Sequence, residues 1–387
     1  WNSLVYDQEL GSLYIGVGNG APWPRQIRSG DAWEQKSEEN PLAGDDLFLT
    51  AIISVDVETA RMNWYYQTVP GDNWDYSSAM DITLSEIDVD GKPTKVLLQA
   101  PKNGFFYVID RTNGRVLRAH PYTDQITWAT HVDLETQRPV ENPEVVYERD
   151  PQWIIPANAG AHNWEPQSWD EKRGLMYFYY HDYANFYSLD ETFVKTGTYE
   201  IRERGLSLGW GEGQYRRDLI AQAPPPPENA GYLGAFDPLS GEYKWRHKLD
   251  AVFNGGVLAT ASGLLFPGEG GGTFVVRSTE DGKVLWSFDA LGSFSSSMIS
   301  YEIDGTQYVA TMVTGQRAIE LGGTVLVFKL DGTARLKAEG VPTALIPEQP
   351  PVEVTRESYI EGDTLYHGQC APCHGGIGFP TEAPPTV

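Results

Sequence analysis

The chain of 387 residues has only two cysteines, Cys370 and Cys373, and five methionines, all of which precede them. So few thiols exclude a disulfide-stapled scaffold, which needs several bridges. No run of about 18 apolar residues occurs, which excludes a membrane-spanning helix. Basic residues are also short, with 29 Lys and Arg against 53 Asp and Glu. The resulting net charge of −24 argues against nucleic acid and anionic membrane as partners. Such a surface serves solubility, with a basic redox partner as the functional reading. The sequence opens at Trp1, with neither an initiator methionine nor an export leader, so an internal fragment of a longer protein is expected.

What is abundant points to strands. The chain holds 12 Trp, 21 Tyr, 40 Gly and 26 Pro, while long amphipathic helical periods are rare, so many short strands joined by turns are expected. A shared phrase recurs: an apolar run into Asp, a turn, then an aromatic residue. It is seen in Ile53-Ser-Val-Asp56-Val-Glu-Thr-Ala-Arg-Met-Asn-Trp64 and in Ala235-Phe-Asp237-Pro-Leu-Ser-Gly241-Glu-Tyr-Lys-Trp245. A third copy, 275–286, keeps Gly282 and Trp286 and puts Ser278 at the Asp position. A fourth, Val108-Ile-Asp110-Arg-Thr-Asn-Gly114, puts Arg118 where Trp would stand. A different phrase, Tyr6-Asp7 to Gly11-Ser-Leu-Tyr14, matches Trp169-Asp170 to Gly174-Leu-Met-Tyr177 and supplies inner strands. Repeats of about 40 to 55 residues with periodic Gly and aromatics predict an all-β fold of the β-propeller type, with about five blades over 1–340. Trp64, Trp245 and Trp286 are expected to dock between neighbouring blades. The stretch 182–227 lacks alternation and reads as a long excursion between blades. A Pro-rich linker over 341–354 then leads to a helical segment.

That segment runs into Cys370-Ala-Pro-Cys373-His374. A C-x-x-C-H run attaches haem c: two thiols form thioethers with the porphyrin and the histidine ligates iron. A redox C-x-x-C pair is the competing reading, but no βαβ pattern surrounds it. This haem is attached outside the bacterial cytoplasm, which places the protein in the periplasm.

Four further phrases stand in order along the chain: Gly16-Val-Gly-Asn19-Gly20-Ala-Pro-Trp23, Pro70-Gly-Asp-Asn-Trp74-Asp75-Tyr76, Gln99-Ala-Pro-Lys102-Asn-Gly, and Gly160-Ala-His-Asn163-Trp164. With the propeller, the linker and the haem motif, they resemble the pyrroloquinoline quinone (PQQ) dependent alcohol dehydrogenases, in the quinohaemoprotein subgroup. The resemblance implies that Asp75 is the catalytic base and that Asn19 and Asp75 ligate Ca2+. It implies that Lys102 bonds the quinone oxygens, that Asn163 and Trp164 touch PQQ, and that Trp1 forms the floor beneath it. It implies that an alcohol loses hydride to PQQ with Ca2+ assistance, and that electrons pass to haem c, held by Cys370, Cys373 and His374, and on to a periplasmic acceptor. Ser77 stands where lanthanide-using members carry an extra Asp, so calcium is the expected metal.

The family propeller has eight blades, so 1–340 is expected to be a partial propeller, and 355–387 the truncated start of a helical cytochrome c domain. Such a fragment is expected to be inactive alone. Two alternatives stand beside this reading: a non-catalytic propeller scaffold, and a plain electron-transfer cytochrome with a β-rich partner domain. Convergence of Asn19, Asp75, Lys102, Asn163 and Trp164 on one channel mouth separates the dehydrogenase from both.

Overall fold

The computed structural model describes residues 4–33, 35, 37, 39–199, 209–269, 272–290, 292, 294, 296–313, 324–335, 355, 358 and 362. Trp1, Cys370, Cys373 and His374, and with them the linker and the cytochrome expectation, lie outside the described residues or rest on isolated positions among them.

Five antiparallel sheets follow one another along the chain. The first comprises β1 (Leu4–Asp7), β2 (Ser12–Gly16), β3 (Ala51–Asp56) and β4 (Met62–Gln67), and the second β5 (Thr83–Val89), β6 (Lys92–Gln99), β7 (Phe105–Asp110) and β8 (Val116–Pro121). A hairpin of β9 (Ala129–Asp133) and β10 (Arg138–Glu141) follows, then β11 (Gln152–Ile154). The third sheet is built from β12 (Ser168–Asp170), β13 (Leu175–Asp182), β15 (Ala230–Asp237) and β16 (Glu242–Leu249), while β14 (Asn185–Tyr187) pairs with β11. The fourth contains β17 (Val257–Ala259), β18 (Leu264–Pro267), β19 (Thr273–Ser278) and β20 (Val284–Asp289). In the fifth, β21 (Ile299–Ile303), β22 (Thr306–Val313) and β23 (Thr324–Lys329) are the described strands. The all-β propeller expectation holds.

Period-2 alternation sends successive side chains of one strand to different neighbours. In β13, Met176, Phe178 and Tyr180 pack with Val96, Leu98, Phe106 and Val108 of the second sheet. Tyr177 and Tyr179 face the other way, onto Val257 and Leu265 of the fourth. The first and second sheets share Tyr14, Ile52, Trp64, Leu97, Tyr107 and Ile109, and the fourth and fifth share Phe266, Phe274, Val309 and Leu326. Each fully buried aromatic or aliphatic side chain of this kind is worth about 1.5–3 kcal/mol of transfer free energy.

The repeated Asp builds the turn. Asp56, Asp110 and Asp237 each use Oδ1 to accept a backbone N–H inside it, from Thr59 (2.7 Å), Thr112 (2.9 Å) and Leu239 (2.8 Å). Ser278 Oγ substitutes at 3.1 Å, accepting from the Glu280 N–H. The preceding sheet docks on that turn. Trp64 Nε1 donates to Arg111 O (3.1 Å) and Trp245 Nε1 to Thr279 O (2.9 Å), as the repeat predicts. In the second sheet the docking ring is not at Arg118, which pairs with Asp90 (2.6 Å), but two residues later. His120 Nε2 bonds Leu239 O at 3.1 Å, and its ring fills the space a Cβ at Gly241 would need. Trp286 does not dock on a turn among the described residues; it is 45% exposed and packs beside Phe274, Phe288 and Phe328.

The excursion after Asp182 also differs from expectation. It connects β13 to β15, which are hydrogen-bonded neighbours of one sheet, so it leaves and re-enters that sheet and does not link two blades. It carries β14, a short helix α2 (Glu191–Thr196) capped by Asp190, and α3 (Gly213–Ile220).

Candidate functional site

After β4 the chain enters a tight loop, residues 68–78. Asp72 within it is fully buried, and its Oδ1 accepts the backbone N–H of Trp74 (3.2 Å) and of Tyr76 (3.1 Å). The loop is tied down from several sides. Arg25 N–H donates to Asn73 Oδ1 (2.7 Å), Tyr147 OH to Asn73 O (2.9 Å), Tyr187 OH to Trp74 O (2.9 Å), and the Arg28 guanidinium to Asp72 O. Between the two braced amides sits Asp75, with φ +67, in the left-handed region that Asp tolerates better than most non-glycine residues. Trp33 packs against Gly71, and its ring centre lies 3.8 Å from the Arg25 guanidinium, so this ring covers one side of the loop.

Lys102 comes from the loop after β6. Its Nζ donates to Asp75 O (2.8 Å) and pairs with Asp75 Oδ2 (3.2 Å). Gln99, three residues earlier, donates its side-chain Nε2 to Ser78 O (2.7 Å) and Met80 O (3.0 Å), so the two loops are fixed to each other by neutral hydrogen bonds as well as by charge. Burial raises the Asp75 pKa from its ordinary value, with the Lys102 ammonium as the main opposing influence. Burial pushes Asp72 up to about 7, and repulsion from Asp75 adds to it.

The third strap is the loop 159–165. Ala161 N–H donates to Lys102 O (2.9 Å), and Gly160, at φ +82, lies so close to the Lys102 side chain that any Cβ would overlap it. Asn163 donates its Nδ2 to Ala159 O (2.9 Å) and its backbone N–H to Glu165 Oε2 (3.1 Å), while its Oδ1 is buried without a partner. The His162 ring stands between Ala100 O (Nδ1, 2.7 Å) and Glu165 O (Nε2, 2.9 Å) and anchors the strap to the Lys102 loop. Burial raises Glu165 to about 7.

Asn19 enters from the first sheet. The backbone at 16–18 runs beside the end of the Asp75 loop, with Ser78 N–H donating to Val17 O (2.9 Å) and Gly16 packed on the Ser78 carbonyl. Asn19 itself is exposed and uses its amide N–H only locally, on Gly20 O (3.3 Å). The structure therefore brings Asp75 and Lys102 into contact, sets Asn163 and half-buried Trp164 on the strap that clasps Lys102, and leaves Asn19 exposed, with its amide bonded to Gly20 O and not to Asp75. The Trp23 indole N–H lies against the Asp75 carboxylate and helps Lys102 to oppose the effect of burial, while the Trp74 indole N–H is buried without a partner. Sequence reasoning missed Asp72 and Glu165 as parts of this site. The Asx spacing from Asp72 to Trp74 was the available signal for the first, whereas burial of an acid three residues after a histidine has none.

Comparisons with known proteins bear on the family. The family model described as the glucose/ethanol/alcohol dehydrogenase β-propeller domain matches residues 1–119, which include Asn19, Asp75 and Lys102. A model for the outer membrane protein assembly factor BamB matches 229–368, after all of the site residues from Asn19 to Trp164, and reflects the shared repeat. Quinohemoprotein alcohol dehydrogenase ADH IIB of Pseudomonas putida is 37% identical over 389 residues, covering 97% of this chain and 53% of its own length. The solved structure of ADHIIG from Pseudomonas putida HK5 superposes with a TM-score of 0.81 at 34% identity, over 99% of this chain and 56% of that one. The quinohemoprotein alcohol dehydrogenase of Comamonas testosteroni gives a TM-score of 0.81 at 29% identity, over 100% and 56%. The chain thus spans about half the length of the curated relatives it matches. With the propeller sheets and the four phrases in order, the chain belongs to the PQQ-dependent quinohaemoprotein alcohol dehydrogenase family.

Proposed function

We propose that the protein oxidises an alcohol in the periplasm, with PQQ as hydride acceptor, Ca2+ beside it, and haem c passing electrons to a periplasmic acceptor. The observation that carries this reading is the buried Lys102 to Asp75 pair at 3.2 Å, held by three separate loops. A lysine ammonium has three donors. Two are spent on Asp75 O and Oδ2, and the third remains for a quinone oxygen. PQQ, when bound, supplies the carbon that accepts hydride, the part of the chemistry a cofactor carries.

The residues present suit that group. A quinone that gains negative charge on reduction is matched by the Lys102 cation, and the Asn163 amide stands on the strap that clasps that lysine. Ca2+ takes oxygen ligands, and Asn19 and Asp75 would supply an amide and a carboxylate oxygen. No group of three or more His, Cys, Asp or Glu stands together among the described residues. Lys102 engages Asp75 Oδ2, so Oδ1 lies outside the pair and can take the alcohol proton as general base. Trp164 would border the cofactor and Trp1 lie under it, while Cys370 and Cys373 would hold the haem and His374 its iron.

The test is to reconstitute the natural protein with PQQ and Ca2+, add a panel of alcohols without oxygen, and follow haem absorbance. Haem reduction that needs both PQQ and alcohol is expected. Haem reduction indifferent to PQQ would favour a plain cytochrome, and none with any alcohol would favour a scaffold.

A further inference from the structure

We propose that Asp72 is the positioning residue for Asp75: its carboxylate staples the amides on both sides of the base and so sets the backbone twist that presents Asp75 to Lys102. This rests on the reading of Asp75 as base.

Three observations carry it. One oxygen, Asp72 Oδ1, accepts from Trp74 (3.2 Å) and from Tyr76 (3.1 Å), the residues that flank Asp75. Between those two anchored peptides the chain takes φ +67 at Asp75, in the left-handed region that few non-glycine residues adopt. Both groups of Asp75 that Lys102 holds, the carbonyl at 2.8 Å and Oδ2 at 3.2 Å, depend on that twist. Asp72 is itself fixed. It is fully buried, its carbonyl accepts from the Arg28 guanidinium, and its neighbour Asn73 is tied to Arg25 and Glu148. Its second oxygen is buried without a partner, so the burial of the carboxylate is not offset by a full set of bonds. A buried acid kept at such a cost is explained by the loop geometry it enforces.

The experiment compares Asp72→Asn, Asp72→Ser and Asp72→Ala in the natural holoenzyme, with Asp75→Asn alone and combined with each. Asn keeps an acceptor at the Oδ1 position, Ser reaches the Trp74 amide alone, and Ala reaches neither. The expected order of kcat is Asn above Ser above Ala, with Asn within about 5-fold of the parent and Ala down by about 100-fold, the cost of misplacing a reacting group by roughly 1 Å. KM should change by less than about 3-fold, because substrate binding does not depend on the staple. Combined with Asp75→Asn, the Asp72 substitutions should cost nothing further, since both act through one group. If the alanine protein does not accumulate, the serine protein carries the comparison. Parental kcat in a folded Ser or Ala variant, or no rescue by Asn, would overturn the proposal. Full turnover of the Asp75→Asn protein would instead overturn the reading of Asp75 as base.

Discussion

At the scale of single residues, the site is a place where burial and charge are set against each other. Asp75 keeps a raised pKa although an ammonium touches it, so desolvation outweighs the pair. Under the proposed role of Asp75 as base, a carboxylate raised in this way holds a proton more firmly than an exposed Asp, which suits removal of a proton from an alcohol. Asp72 contributes to stability in the opposite direction from a salt-bridged acid. Its folded pKa of about 7 lies above the unfolded value of 3.8, so the fold keeps a proton that the unfolded chain releases, and stability falls as pH rises between those values. Asp72→Asn carries no such cost. Its thermal midpoint relative to the parent should therefore improve between about pH 4 and about pH 8, read by calorimetry at each pH. A difference independent of pH would contradict burial of an ionisable acid there.

At the scale of elements, neighbouring sheets are joined by a ring seated on a turn. The turn presents a carbonyl to the ring's N–H, and a glycine at positive φ makes room for the ring. Gly114, Gly241 and Gly282 have φ of +79, +76 and +70, and receive Trp64, His120, and Trp245 with His247 respectively. Gly241→Ala should destabilise by more than His120→Ala. The first adds backbone strain and a clash, whereas the second deletes one hydrogen bond and a packed ring, worth about 1–3 kcal/mol in all. Denaturant midpoints of the two variants check this, and an equal or reversed order would show that His120 does not fill the Trp position. The docking at Trp64 and Trp245 was legible in the sequence because it rides on a fixed spacing after Asp. His120 was not, because it lies two residues beyond that spacing on the same strand face. The excursion after Asp182 was legible as irregular but not as internal to a sheet, since strand pairing between β13 and β15 leaves no local mark.

At the scale of the whole molecule, three loops from consecutive sheets meet around Lys102, and the haem signature lies some 270 positions further along the chain. The four phrases that pointed to this site are loop segments at strand ends, where a propeller gathers distant residues, so the meeting of Asp75, Lys102 and the loop of Asn163 was readable in advance. The buried acids behind them were not, because burial inside a loop follows no periodicity. The central claim joins the two ends: Asp75 starts a reaction whose electrons leave through the haem held by Cys370, Cys373 and His374. Its most direct test is stopped-flow haem reduction after alcohol is mixed with PQQ- and Ca2+-loaded natural protein, comparing the parent with Asp75→Asn. The account predicts that the variant retains its haem spectrum and can be reduced by dithionite, but loses alcohol-driven haem reduction by at least about 1000-fold, within the range general-base removal commands. Alcohol-driven reduction at the parental rate in the Asp75→Asn protein would contradict it.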